Sequence, residues 1–167
     1  TEDTAVQLAT DLQPFAPWFL EAPVPTEEIE SLRRVVERTE ARIAVGEEWR
    51  THFDARLRIE RRACHIVQPE MGHTGITQFL RIGRIAEAHQ LAVIPHATIG
   101  AGIFLAASAV LSGVESHEFQ HSIFGPFRHF TGDALLCEAG AYSLPSGPGL
   151  GVEPSDAMLT KMTRMLP

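Results

Sequence analysis

Ile43-Ala44-Val45-Gly46-Glu47 and, one helical stretch later, His65-Ile66-Val67-Gln68-Pro69-Glu70 are the segments on which the fold is read. Each is a short, largely apolar run that stops at a glutamate. A continuous apolar run without polar alternation predicts a strand buried on both faces. Between the two runs, residues 53–61 have the length and mixed polarity of a helix. Strand, helix and strand in succession predict parallel pairing through a crossover.

The same unit repeats in both directions. Upstream, Trp18-Phe19-Leu20 is followed by Pro25-Thr26-Glu27-Glu28, which supplies an N-cap candidate and acidic residues for a helix start. Ile29, Leu32, Val35 and Val36 give that helix its inner face, and an earlier helix is expected over residues 4–12. Downstream, residues 76–89 carry a broad apolar stripe of Ile76, Phe79, Ile82, Ile85 and Ala86. Leu91-Ala92-Val93-Ile94 follows, then Gly100-Ala101-Gly102 and a helix to about residue 111. His117-Glu118-Phe119 is a weaker fifth run. Residues 124–152 are rich in Gly, Pro and turn formers, and Pro154-Ser155-Asp156 opens a last short helix. Five strands, each heading a unit of about 25 residues, predict an α/β chain forming part of a (β/α)8 barrel, whose full length is about 250 residues. The two expected regions are a barrel portion over residues 1–123 and a loop-rich tail over 124–167. An open doubly wound sheet is the alternative, but no Gly-rich phosphate loop follows an early strand.

Composition narrows the function classes. The chain has 167 residues, 44% of them hydrophobic, so one ordinary core is available. A net charge of −7 argues against nucleic acid or an anionic membrane surface as partner. The longest apolar stretch, residues 99–111, is too short to span a bilayer. Two cysteines, Cys64 and Cys137, are too few for a disulfide scaffold and read as buried fillers in a cytoplasmic protein. The first residue is Thr1, so a start upstream of it is expected.

The strand ends carry the chemical signal. Each run stops at or beside an ionisable residue: Glu21, Glu47, Glu70, His96 and Glu118, at spacings of 26, 23, 26 and 22 residues. In a barrel, the C-terminal strand ends all open on one mouth, where the active site is built. A carboxylate after a strand is often only a helix cap. Five ionisable groups in register are harder to explain that way.

Trp18-Phe19-Leu20-Glu21-Ala22-Pro23, Val45-Gly46-Glu47-Glu48, Gln68-Pro69-Glu70, Pro95-His96 and the ending Gly147-Pro148-Gly149-Leu150-Gly151-Val152 resemble the enolase superfamily. The resemblance is to its mandelate racemase/muconate lactonizing enzyme branch, and it runs over nearly the whole chain. It implies barrel strands four to eight. The first barrel strands and an N-terminal capping domain are absent from the chain and are expected upstream, with a third metal ligand and a basic lysine. Asp3 is expected to begin a helix rather than replace that ligand.

The resemblance also implies roles. Glu21 and Glu47 are the metal ligands, for Mg²⁺. His96 is the general acid/base, and Glu70 orients it from a place where the family usually has Asp. Glu118 hydrogen-bonds a substrate carboxylate oxygen as it becomes enolic. His73, in the loop after strand six, is a candidate substrate contact, and Glu48 reads equally as support for Glu47 or as a surface charge. The implied activity is Mg²⁺-dependent removal of the proton α to a carboxylate, with sugar-acid dehydration first among the reactions. Racemisation or epimerisation and cycloisomerisation share its first half. The expected partner is a small carboxylate substrate, and the full-length enzyme is expected to be a homo-oligomer. A reading from another class is a truncated, non-catalytic domain that pairs through an exposed strand edge.

Overall fold

A computed structural model describes residues 1–97, 100, 102–114, 116–120, 124 and 135–161. The chain divides into two compact units, Thr1–His96 and Ala97–Pro167. Residue 123, the expected end of the barrel portion, lies outside the described residues.

The first unit alternates helices and strands: α1 (Glu2–Leu12), β1 (Leu20–Glu21), α2 (Ile29–Arg38), β2 (Ile43–Val45), α3 (His52–Glu60), β3 (Ile66–Val67), α4 (Met71–Ala88) and β4 (Ala92–Val93). The four strands form one parallel sheet in the order β1-β2-β3-β4. Neighbours in sequence are neighbours in space, as in a barrel wound one way. The central strands β2 and β3 are buried on both faces, whereas the outer strands β1 and β4 are partly exposed. Ile43, Val45 and Val67 pack with Leu32, Val35, Ile59 and Ile82 of the helices. Ala44, Ile66 and Ile94 pack on the opposite face with Phe19. This two-sided burial is why β2 and β3 read as unbroken apolar runs.

Local chemistry sets the helix ends. Thr51 and Asp54 close a reciprocal capping box at α3. At α2 the expected Thr26 cap is not used: the helix begins at Ile29, and Thr26 is buried and bonded elsewhere. Gly75, at φ 65° and ψ 166°, breaks α4 after its first turn. The long amphipathic part therefore starts at Ile76, as the apolar stripe predicts. Asp3 lies in the first turn of α1 and pairs with Arg38 at 2.6 Å, while Glu2 takes a two-pronged contact from Arg34. Trp49 is core, whereas Trp18 is 58% exposed. Cys64 is buried, and that burial pushes its thiol up to about 12, while Cys137 is only half-buried.

His65 ties β3 to β2. Its Nδ1 accepts the Ile43 N–H at 3.0 Å, while its own N–H donates to the Ile43 carbonyl. Burial, then Arg42, hold its ring below the ordinary 6.5. A folded value below the unfolded one gives stability that is complete above 6.5 and is lost as pH falls through the folded value. Urea unfolding is expected to show stability declining as pH is lowered from 8 to 5, with His117, also held low by burial, adding a decline of the same sign. His65→Gln, which offers an acceptor that does not titrate, is expected to make the decline shallower.

The second unit holds α5 (Ile103–Ser112) between Gly102 and Gly113, both at positive φ, and α6 (Asp156–Lys161). Ala97, Leu105, Ala106, Phe124 and Leu135 form its core, with Phe119 and Tyr142 against them. The expected fifth strand differs: His117, Glu118 and Phe119 form no strand. The physical reason lies in their composition, since two of these three residues are polar and no apolar run buries the segment on both faces. Among the described residues, no helix is long and apolar enough to cross a membrane.

Candidate active site

Because the strands are parallel, their C-terminal ends share one edge of the sheet. Glu21 is the last residue of β1 and is exposed there. Glu47 follows β2 by two residues, across Gly46. Glu70 and His96 follow β3 and β4 by three residues each, and they extend the sheet through a parallel bridge.

Glu70 is wholly buried and does two things with its two oxygens. Oε1 accepts the Gly72 N–H at 3.0 Å and caps α4. Oε2 meets His96 Nδ1 at 3.0 Å. The extra methylene of Glu, relative to the Asp usual in the resembled family, does not prevent the contact. It lets one carboxylate reach the imidazole and the helix start together. A carboxylate only accepts, so Nδ1 carries the proton and the ring's orientation is fixed.

The other ring nitrogen faces a second carboxylate. His96 Nε2 lies 2.8 Å from Glu47 Oε2, with the His96 side chain 10% and the Glu47 side chain 47% exposed. Glu21, Glu47 and His96 each present one ligand atom, and these atoms lie within 4.8 Å of one another. Two carboxylates are hard oxygen donors of the kind that suits Mg²⁺, so the residues fit a divalent cation. The geometry alone allows His96 to be a third ligand, since a carboxylate behind a histidine is also the usual support of a ligating imidazole.

The turn after β2 is braced through Glu48. Glu48 accepts a hydrogen bond from Thr26 Oγ1, and the Thr26 carbonyl accepts from Arg58 Nε at 2.9 Å. The Arg58 guanidinium lies over the Trp49 ring, 5.8 Å from its centroid. Glu48 is therefore a supporting group. Sequence reading found no signal for this brace, because Thr26, Glu48 and Arg58 are far apart along the chain. His73 is half-buried, and its Nδ1 meets the Glu47 carbonyl oxygen at 2.7 Å. In the second unit, the Glu118 oxygens accept from the Ala97 N–H at 3.2 Å and from Gln120 Nε2 at 2.6 Å.

Residues 1–158 match a family model described as enolase C-terminal domain-like. The D-galactonate dehydratase of Ralstonia nicotianae is 33% identical, covering 93% of this chain and 44% of its own length. An enolase-superfamily member from Agrobacterium tumefaciens superposes with a TM-score of 0.89 at 58% identity. That match covers 96% of this chain and 42% of the other. A mandelate racemase/muconate lactonizing enzyme from Sulfitobacter gives a TM-score of 0.84 at 25% identity, over 94% of this chain and 40% of the other. The chain thus spans less than half the length of each of these proteins.

Proposed function

Since this chain belongs to the enolase C-terminal domain-like family, in the mandelate racemase/muconate lactonizing enzyme branch of the enolase superfamily, we propose that it carries the acid/base half of an active site that removes the proton α to a carboxylate. Dehydration of a sugar acid is the reaction favoured, in keeping with a D-galactonate dehydratase relative. The observation that carries the reading is His96 held between two carboxylates. Nδ1 is fixed by buried Glu70, and Nε2 is aimed at the mouth of the sheet beside Glu47 and Glu21.

Glu21 and Glu47 are the residues that would hold a divalent cation, with Mg²⁺ the expected ion. When bound, such a cation supplies positive charge to the oxygens of the substrate carboxylate, where negative charge develops as the α-proton leaves. His96 Nε2 either takes that proton or delivers one to the departing β-hydroxyl, which leaves as water. Glu70 accepts the Nδ1–H and so steadies the imidazolium that forms. Glu118 is proposed, from the family resemblance, to hydrogen-bond a substrate carboxylate oxygen. Glu47 Oε2 engages His96 Nε2, so turning this carboxylate toward a cation and releasing Nε2 toward substrate are one movement.

The reading is tested with the longest natural polypeptide that carries these residues. Sugar acids, D-galactonate first, are incubated with Mg²⁺, and a 2-keto-3-deoxy acid is expected as product. No keto acid, together with no exchange of any α-proton in ²H₂O, would sink the proposal. In the same protein, Glu21→Gln and Glu47→Gln are each expected to weaken Mn²⁺ binding by at least about 10-fold, the size that even outer partners of metal ligands carry. Unchanged Mn²⁺ affinity in both variants would remove the ligand assignment.

A further inference from the structure

The geometry points to His73 as a positioning residue for the Glu47 carboxylate, acting through the main chain. It rests on the reading of Glu47 as a cation ligand. The carbonyl oxygen of Glu47 can only accept, so the 2.7 Å contact requires the proton on His73 Nδ1. That ring nitrogen is then committed to the backbone of the residue whose side chain faces Glu21 and His96.

The segment carrying His73 is itself held. The Glu70 carbonyl accepts the N–H of His73 at 3.1 Å, the N–H of Thr74 at 3.1 Å and the hydroxyl of Thr74 at 3.0 Å. Gly72 N–H donates to the Glu70 side chain. Residues 71–74 thus form one turn built on Glu70, the residue that also orients His96. Gly75 then breaks the helix, so this turn takes its direction from Glu70 rather than from the long helix behind it. His73 joins this turn to the turn after β2. The residue that orients the base and the residue that offers a ligand oxygen are held in one frame.

The next residue, Glu48, is fixed by Thr26. Residues 47–48 are therefore held twice, by a ring N–H on the Glu47 carbonyl and by a hydroxyl on the Glu48 side chain. Removing the His73 contact takes away the direct hold on this carbonyl, and the Glu47 carboxylate is expected to be less well placed, even though Thr26 still holds Glu48 and the Trp49 N–H still donates to the Gly46 carbonyl.

Direct Mn²⁺ titration followed by electron paramagnetic resonance tests this in the longest natural polypeptide, with melting curves taken alongside. His73→Phe keeps a ring but cannot donate, and it is expected to raise the Mn²⁺ Kd by about 3- to 10-fold, the scale of one lost hydrogen bond. His73→Asn places an amide N–H near the former Nδ1 and is expected to bring the Kd back to within about twofold of the parent, since the same bond is remade. His73→Ala serves if the Phe ring lowers the melting temperature. A Phe or Ala variant with parental Kd, measured where Glu47→Gln does weaken binding, overturns the inference and leaves the ligand reading standing. Equal losses for Asn and Phe overturn it too, because the bond would not be the cause. Parental Kd in Glu47→Gln overturns the ligand reading and this inference with it.

Discussion

His96→Asn is expected to lower kcat by about 10²- to 10⁴-fold, the contribution of a positioned acid/base group, while Mn²⁺ affinity stays within about twofold. The separation of the two readouts is what gives the variant its force. Asn can still donate an amide N–H to Glu70 Oε2, now 3.0 Å from the imidazole Nδ1, so the buried carboxylate keeps a partner. Asn has no nitrogen that binds and releases a proton near neutral pH, so proton transfer loses its agent. The same residue lies within ligand distance of Glu21 and Glu47, and a ligating imidazole would behave differently. Its loss would collapse Mn²⁺ affinity along with turnover. Isothermal titration with Mn²⁺ beside steady-state kinetics decides between base and ligand. If both quantities fall together, His96 is a ligand. If neither falls, the site does not use it.

Gly46→Ala is expected to destabilise the fold by about 2–4 kcal/mol and to disturb the site at the same time. Gly46 sits at φ +142°, a region that side chains with a Cβ rarely adopt. A Cβ there would meet the Gln68 backbone, with N at 2.8 Å and C and O at 3.0 Å. The obstacle is the main chain just past the end of β3, whose N–H donates to the Val45 carbonyl at 2.9 Å. It cannot give way without parting β2 from β3. Glu47 is the next residue, so any shift carries its carboxylate away from Glu21 and His96. Denaturant unfolding and Mn²⁺ titration of the variant check the two parts. A normal midpoint with normal Kd would show that the close approach has no cost. Serine, with the same Cβ, is expected to behave as alanine does.

These outcomes probe what could and could not be read along the chain. The strand runs at 43–45 and 66–67 were legible because two-sided burial demands unbroken apolar residues, and the parallel sheet continues the same order to the partly exposed strand at 92–93. The placement of Glu21, Glu47, Glu70 and His96 at one sheet edge followed from the same rule, since parallel strands end on one side. The start of α2 was not legible. Thr26 has the chemistry of a cap, but it is bonded to Glu48 across the fold, and tertiary bonding overrode the local preference. The fifth run at 117–119 was too short and too polar for its pattern to specify a strand.

By itself, then, the sequence determined the α/β class, the unit length, the family and four of the residues at the strand ends, because burial and periodicity act locally. The tertiary structure alone decided how those residues meet. It put Glu70 on His96 at 3.0 Å and Glu47 on the other ring nitrogen at 2.8 Å. It gave His73 Nδ1 the Glu47 carbonyl as its partner, and it placed Gly46 against Gln68. Contacts of this kind join residues more than 20 positions apart. A hydrogen bond depends on distance and direction, and neither is defined for such a pair until the chain has folded.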